Sequence, residues 1–122
     1  MKAKDLRIGN LVNITDEMQQ ELWDCAEICT ENKPLEISMI ENTEARLFIE
    51  NDDFEFNYED LIPIELTEEW LIKFEKISWL SKDNDGFFYW FNGEKKYIKF
   101  VHVLQNTYFC IELKELKYET NR

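Results

Sequence analysis

Three thiols and one imidazole are the side chains with the widest chemical reach in this chain: Cys25, Cys29, Cys110 and His102. Zinc and redox cysteine pairs favour two intervening residues, whereas Cys25-Ala26-Glu27-Ile28-Cys29 has three. A mononuclear metal site would need all four ligands to converge from three distant segments. A nucleophile–base pair of His102 with a cysteine would need a third, orienting group, and the sequence marks none. The simpler expectation is thiols packed as small apolar groups in a reducing cytosol.

The remaining motifs are equally spare. Asp83-Asn84-Asp85-Gly86 has the look of part of a calcium loop. Aligning its glycine to the sixth loop position puts Ser81 first and Asn92 twelfth, so the bidentate acid is missing. Turn chemistry accounts for the tetrapeptide without an ion. Gly9, Gly86 and Gly93 are the only glycines, too few for a P-loop or a dinucleotide fingerprint. With twenty-six acids in the chain, no carboxylate pair can be singled out for acid–base work. The reading is a non-enzymatic protein with no cofactor and no metal.

Charge is the feature that biases the choice of partner. Residues 16–69 carry eighteen acids against two bases, Lys33 and Arg46, a net −16; the rest of the 122-residue chain balances at +4. Such a field favours a basic protein partner and makes direct nucleic-acid binding unfavourable. The stretch also interleaves Trp23, Ile28, Leu35, Ile37, Ile40, Leu47, Ile49, Phe54 and Phe56, so it reads as a folded acidic surface rather than a tail. Candidate contacts to a basic partner are Glu50, Asp52, Asp53, Glu55, Glu59 and Asp60. A competing surface mixes aromatic rings with positive charge, as single-strand nucleic-acid binders do: Trp79, Tyr89, Trp90, Lys95 and Lys99. The plainer account of those lysines is a guarded sheet edge.

The elements that must position these groups follow from periodicity. Leu6-Arg7-Ile8-Gly9-Asn10 leads by a tight turn into a strand at 11–14. Residues 19–30 fit a helical face through Leu22, Cys25, Ala26 and Cys29, and an alternating strand through Trp23, Cys25 and Ile28; the alternation tips the reading to strand. Strands follow at 35–40, 45–50 and 54–58, with turns at Asn42-Thr43 and Asn51-Asp52-Asp53. After Pro63, Thr67 is placed to cap a helix over 67–76 with Glu68 and Glu69 in its first turn. A meander comes next, with Asn92-Gly93 as a two-residue hairpin pairing Phe91 with Glu94, Trp90 with Lys95, Tyr89 with Lys96 and Phe88 with Tyr97. Val101, Leu104, Tyr108 and Ile111 then form one helical stripe over 101–112, and residues 113–118 extend that helix or add a closing strand.

The chain has no run of about eighteen apolar residues, so no membrane span is expected. The start, Met1-Lys2-Ala3-Lys4-Asp5-Leu6-Arg7, has charge but no apolar core of a signal peptide. A cytoplasmic protein is expected.

Three segments carry a family resemblance: Leu6-Arg7-Ile8-Gly9-Asn10-Leu11-Val12, then Pro63-Ile64-Glu65-Leu66-Thr67-Glu68-Glu69-Trp70-Leu71-Ile72-Lys73-Phe74, then Phe100-Val101-His102-Val103-Leu104-Gln105-Asn106-Thr107-Tyr108-Phe109. In order and spacing the chain resembles small uncharacterised proteins encoded by Bacteroidetes genomes, their prophages and their phages. Val103 stands where those relatives usually have glutamine, and Ile111-Glu112-Leu113-Lys114 lacks their threonine–glycine helix ending. The resemblance implies a phage or mobile-element context and no established activity. The fold expected is α+β: a small N-terminal antiparallel SH3-like β-barrel over 1–62, then helix, three-stranded β-meander and C-terminal helix over 63–122. The function expected is an interaction protein, in its narrower form an acidic nucleic-acid mimic that inhibits a basic host protein.

Overall fold

Alternation of buried and exposed side chains builds the N-terminal half of the chain. A computed structural model describes residues 1–31 and 33–118. The chain divides into two compact units, Met1–Ile64 and the remainder from Glu65. The architecture is α+β, with a curled five-stranded antiparallel half-barrel and a separate three-stranded antiparallel sheet.

In the first unit the strands are β1 (Leu11–Ile14), β2 (Leu35–Ile40), β3 (Glu44–Ile49), β4 (Asp52–Asn57) and β5 (Leu61–Ile62). Their order is β4-β3-β2-β1-β5, so the last strand returns to pair with the first. A 3-10 turn at Tyr58–Asp60 makes that return possible. The inner face supplies Val12, Ile14, Leu35, Ile37, Ala45, Leu47, Ile49, Phe56 and Leu61 to one apolar cluster. Val12, Ile37, Ala45 and Leu47 have no exposed surface, and each deleted core methylene would be felt there. Asn10, buried beside them, accepts the amide of Arg7 at 2.7 Å and fixes the entry turn.

Helix α1 (Asp16–Ala26) corrects the strand expected within residues 19–30. The deciding signal precedes that segment: the Thr15 hydroxyl accepts the Met18 amide at 3.4 Å, and Asp16 and Glu17 fill the first turn. Leu22 is the buried residue of this helix. Trp23 and Cys25, which alternation would have set inward, are exposed. Glu27 ends the helix in the left-handed region, and Ile28 then turns into the core. The turn between β3 and β4 is Glu50-Asn51, both at positive φ, so Asp52 and Asp53 belong to the strand rather than to the turn expected of them.

The second unit contains α2 (Glu68–Lys73), β6 (Ser81–Asp83), β7 (Gly86–Phe91), β8 (Glu94–Ile98) and α3 (Val101–Glu112). Helix α2 is shorter than expected because Phe74 leaves it for a bridge to Tyr118. The rings of Trp70, Phe74 and Tyr118 lie 5.3–6.0 Å apart in that corner. Thr67 precedes α2 with no side-chain cap bond; its carbonyl accepts the amides of Trp70 and Leu71 instead. On α3 the buried stripe is Val101, Leu104 and Tyr108, joined by His102 and Gln105. Ile111 does not belong to it, being 46% exposed. Leu113 caps α3 in the left-handed region, and Tyr118 then bridges to Phe74.

The β7–β8 hairpin has the pairing expected from Asn92-Gly93, residue for residue. Both turn residues have positive φ, 50° and 79°, as a type I′ turn requires. A Cβ on Gly93 would meet nothing within 4 Å, so any cost of substitution is backbone strain alone. Gly93→Val is expected to lower stability by about 2 kcal/mol, whereas Gly93→Asn should cost much less. Urea unfolding checks this: the midpoint should fall for the valine variant with an unchanged slope.

Candidate functional site

The outer face of the β2-β3-β4 sheet gathers the acidic groups into a pattern. Phe48 pairs across to Glu36 on one side and Asp53 on the other, and Arg46 sits between Met39 and Glu55. A register shift between Ile37 and Met39 turns Met39 outward. Phe48 is 46% and Met39 45% exposed, an apolar strip inside a rim of carboxylates. Arg46 donates to Glu41 at 3.0 Å and to Glu55 at 2.8 Å. Carboxylate oxygens of Glu41, Glu44 and Glu55 all lie within 4.8 Å of one another. Three carboxylates against one guanidinium leave an excess of two negative charges. Loss of hydration and the neighbouring Glu55 and Glu41 hold the Glu44 carboxyl above its ordinary range, while Arg46 opposes them. An incoming cation would relieve that repulsion.

The acids singled out in the sequence do not form one patch. Asp53 and Glu55 lie on this outer face, opposite Phe48 and Arg46. Glu50 and Asp52 lie at the β3–β4 tip, and Glu59 and Asp60 in the 3-10 turn beyond the other end of β4. Glu36, Glu41 and Glu44 were missed as members of the face. The alternation Glu36-Ile37 and Glu44-Ala45 contains the signal, but only strand register puts them beside Asp53 and Glu55.

The aromatic and lysine candidates also separate. Successive strand residues point to opposite faces, so Tyr89 and Trp90 cannot share one. Trp79 lies in the turn before β6, with its ring 5.7 Å from Tyr89 and 6.2 Å from Tyr108, and its indole donates to Glu112 at 3.1 Å. Those contacts are structural. Trp90, 60% exposed, stands on the other face with Phe88, Tyr97 and Lys95. There the Lys95 ammonium lies 4.5 Å from the Phe88 ring centre and donates to Asp83 at 3.1 Å. Lys99 belongs to neither group; it lines a groove of about 490 Å³ with Glu65, Asp85 and Tyr97.

Asp83 is the hub of the Trp90 face. It accepts the Tyr97 hydroxyl at 2.7 Å, and its other oxygen accepts the Asp85 amide at 2.8 Å, the turn chemistry expected of this tetrapeptide. The Tyr97 bond above all, with the Asp85 amide and Lys95, holds the Asp83 carboxyl down at about 2. The same bond, with loss of hydration, pushes the Tyr97 phenol up to about 12.

The thiols are not packed as expected: Cys25, Cys29 and Cys110 are all exposed. Helix α1 rather than a strand accounts for Cys25, since its one buried position is Leu22. Cys110 follows His102 by eight helical residues, roughly 12 Å along the axis, so the two cannot form a nucleophile–base pair. His102 is buried and stacked on Phe100 at 6.0 Å. Among the described residues, the gathered group of three metal-ligating types is the carboxylate trio, with neither cysteine nor histidine in it. No described helix is long and apolar enough to cross a membrane.

No family model matches this chain, no curated protein matches it, and no solved structure matches it.

The Asp83–Tyr97 bond has a pH signature. A depressed carboxyl contributes stability above its ordinary value of 3.8 and loses it as pH falls toward about 2. A raised phenol contributes below its ordinary 10.0 and loses it as pH rises through about 12. Carboxylate NMR titration should therefore find the Asp83 midpoint near the low value. In Tyr97→Phe that midpoint should move upward, and stability below pH 4 should become less acid-sensitive.

Proposed function

We propose that this chain is a non-enzymatic interaction protein of phage or mobile-element origin, acting in the bacterial cytoplasm by docking a basic protein on its N-terminal unit. The observation that carries this reading is the outer sheet face, where exposed Phe48 and Met39 are framed by Glu36, Glu41, Glu44, Asp53 and Glu55. An apolar strip supplies contact area, while the carboxylate rim supplies steering and register. Arg46 does not spoil the field, because two of those carboxylates already hold it. Residues 1–64 carry sixteen acids against five bases, so the docking unit as a whole is strongly anionic.

In the narrower form of the proposal, carboxylates spaced along the strands stand where a nucleic-acid-handling target expects phosphates. The unit is also read as SH3-like. The strand order with β5 returning to β1, and the 3-10 turn just before β5, support that assignment.

The test is capture from bacterial lysate followed by a salt gradient. A basic protein should be retained at low salt and released at moderate salt, because an exposed charge rim is screened over about 10 Å at 0.1 M. Glu36→Lys with Asp53→Lys should lower the affinity at least tenfold without changing the fold, since both side chains are exposed. Phe48→Ala should raise the dissociation rate more than it lowers the association rate. Retention that ignores salt and survives the double reversal would count against this face.

A second reading rests on a different observation, the exposed Trp90 ring beside Lys95 and Tyr97. That face would make a stacking platform for a small ligand or single-stranded nucleic acid. Oligonucleotide should then quench tryptophan fluorescence, and Trp90→Ala should remove the quenching. An unchanged signal across the titration excludes this reading.

A further inference from the structure

A second acidic feature of the first unit differs in kind from the sheet face. Helix α1 and the chain that returns along it, residues 28–31, enclose a groove of about 460 Å³. Asp16, Gln19, Gln20 and Trp23 line one wall, at the spacing that aligns side chains on a single helix face. Cys29, Thr30 and Glu31 line the other. The wall is held in place by the left-handed Glu27, whose amide bonds the Trp23 carbonyl at 2.9 Å, and by Ile28, which is anchored in the core.

The chemistry of the lining points one way. Among the described residues none that lines the groove is basic, and two are carboxylates. One N–H of the Gln19 amide donates to the Ile14 carbonyl at 3.0 Å, and one of Gln20 to Asp24 at 2.8 Å, so each amide keeps one N–H besides its oxygen. Both side chains have acceptor oxygens to offer. Thr30 is 3% exposed, and its hydroxyl has no hydrogen-bond partner among the described residues. A buried hydroxyl left in that condition costs stability unless something completes it. Trp23, 52% exposed, lines the same groove. An acceptor-rich cleft with one aromatic face suits a flat cation with many donors. A guanidinium has five N–H donors in a rigid plane and stacks on indole, whereas an ammonium is a compact point charge with three.

We infer that this groove receives one arginine side chain of the basic partner, its guanidinium stacked on Trp23 and bonded to Asp16 and Glu31. The inference rests on the reading of the chain as a docking protein for a basic partner, and adds a second, side-chain-specific contact to it.

The test uses the full chain and a small probe, N-acetyl-arginine methylamide, followed by two-dimensional NMR. Saturable shifts at the Trp23 indole N–H and the Thr30 amide are expected, with millimolar affinity. The neutral isostere N-acetyl-citrulline methylamide should bind at least fivefold more weakly, and the lysine analogue should also be weaker. Glu31→Gln should weaken the arginine probe several-fold, and Trp23→Ala, an exposed position, should abolish its binding. No shift at these two groups, or citrulline binding as well as arginine, overturns the inference. The readouts are Trp23 and Thr30 and no group of the sheet face, so such a failure leaves the salt-released partner and its loss on Glu36 and Asp53 reversal intact. Capture failing while the probe still binds would instead count against the docking reading.

Discussion

Burying the inner face of a curled sheet decides almost everything else about the first unit. Val12, Ile37, Ala45 and Leu47 are fully enclosed, and Ile14, Leu35, Ile49, Phe56 and Leu61 complete the cluster. Because side chains alternate along each strand, broken here only by the register shift between Ile37 and Met39, placing those residues inward turns their neighbours out. A one-residue slip would bury Glu36, Glu44 and Arg46 and expose Leu35, Ala45 and Leu47. The energetic gap between those registers is what holds the carboxylate rim in a single arrangement. The placement of the acidic face is thus a consequence of core packing.

Electrostatics then divides the two units into different roles. In the first, repulsion among Glu41, Glu44 and Glu55 is only partly offset by Arg46, and a surplus of negative charge remains. In the second, acids are consumed internally. Asp83 holds Tyr97 and Lys95, Glu75 accepts the Tyr108 hydroxyl at 3.0 Å, and Glu68 pairs with Lys82. The bond from Tyr108 is the main reason Glu75 sits below the usual carboxylate range. Satisfied acids steady a fold and have little charge left over.

Which elements could be read from sequence depended on whether a local rule had a competitor. Asn92-Gly93 had none: positive φ at two successive positions defines the turn, and the turn defines every pair in the hairpin. The segment 19–30 had two rival periodicities, and the alternation that favoured a strand matched residues that end up exposed. Thr15 followed by Asp16 and Glu17 was the better guide, because a cap acts at the start of a helix whichever face is apolar. The thiols misled for a related reason. Cysteine's general preference for burial says nothing about a particular helix whose one buried residue is Leu22.

The sequence by itself determined the α+β class, the strands at 35–40 and 45–50, the hairpin register, the helix over 101–112 and the anionic character of the first half. Each of these follows from local periodicity, turn stereochemistry or a simple count of charge. Only tertiary structure decided which acids stand together and which aromatics share a face. Glu36 joined Asp53 through the strand between them, Trp90 parted from Tyr89 through the pleat, and Trp23 came to face Thr30 and Glu31 because the chain reversed at Glu27. Such neighbourhoods are set by pairing across long separations and by where the backbone turns back on itself, and neither is encoded in the spacing of residues along the chain.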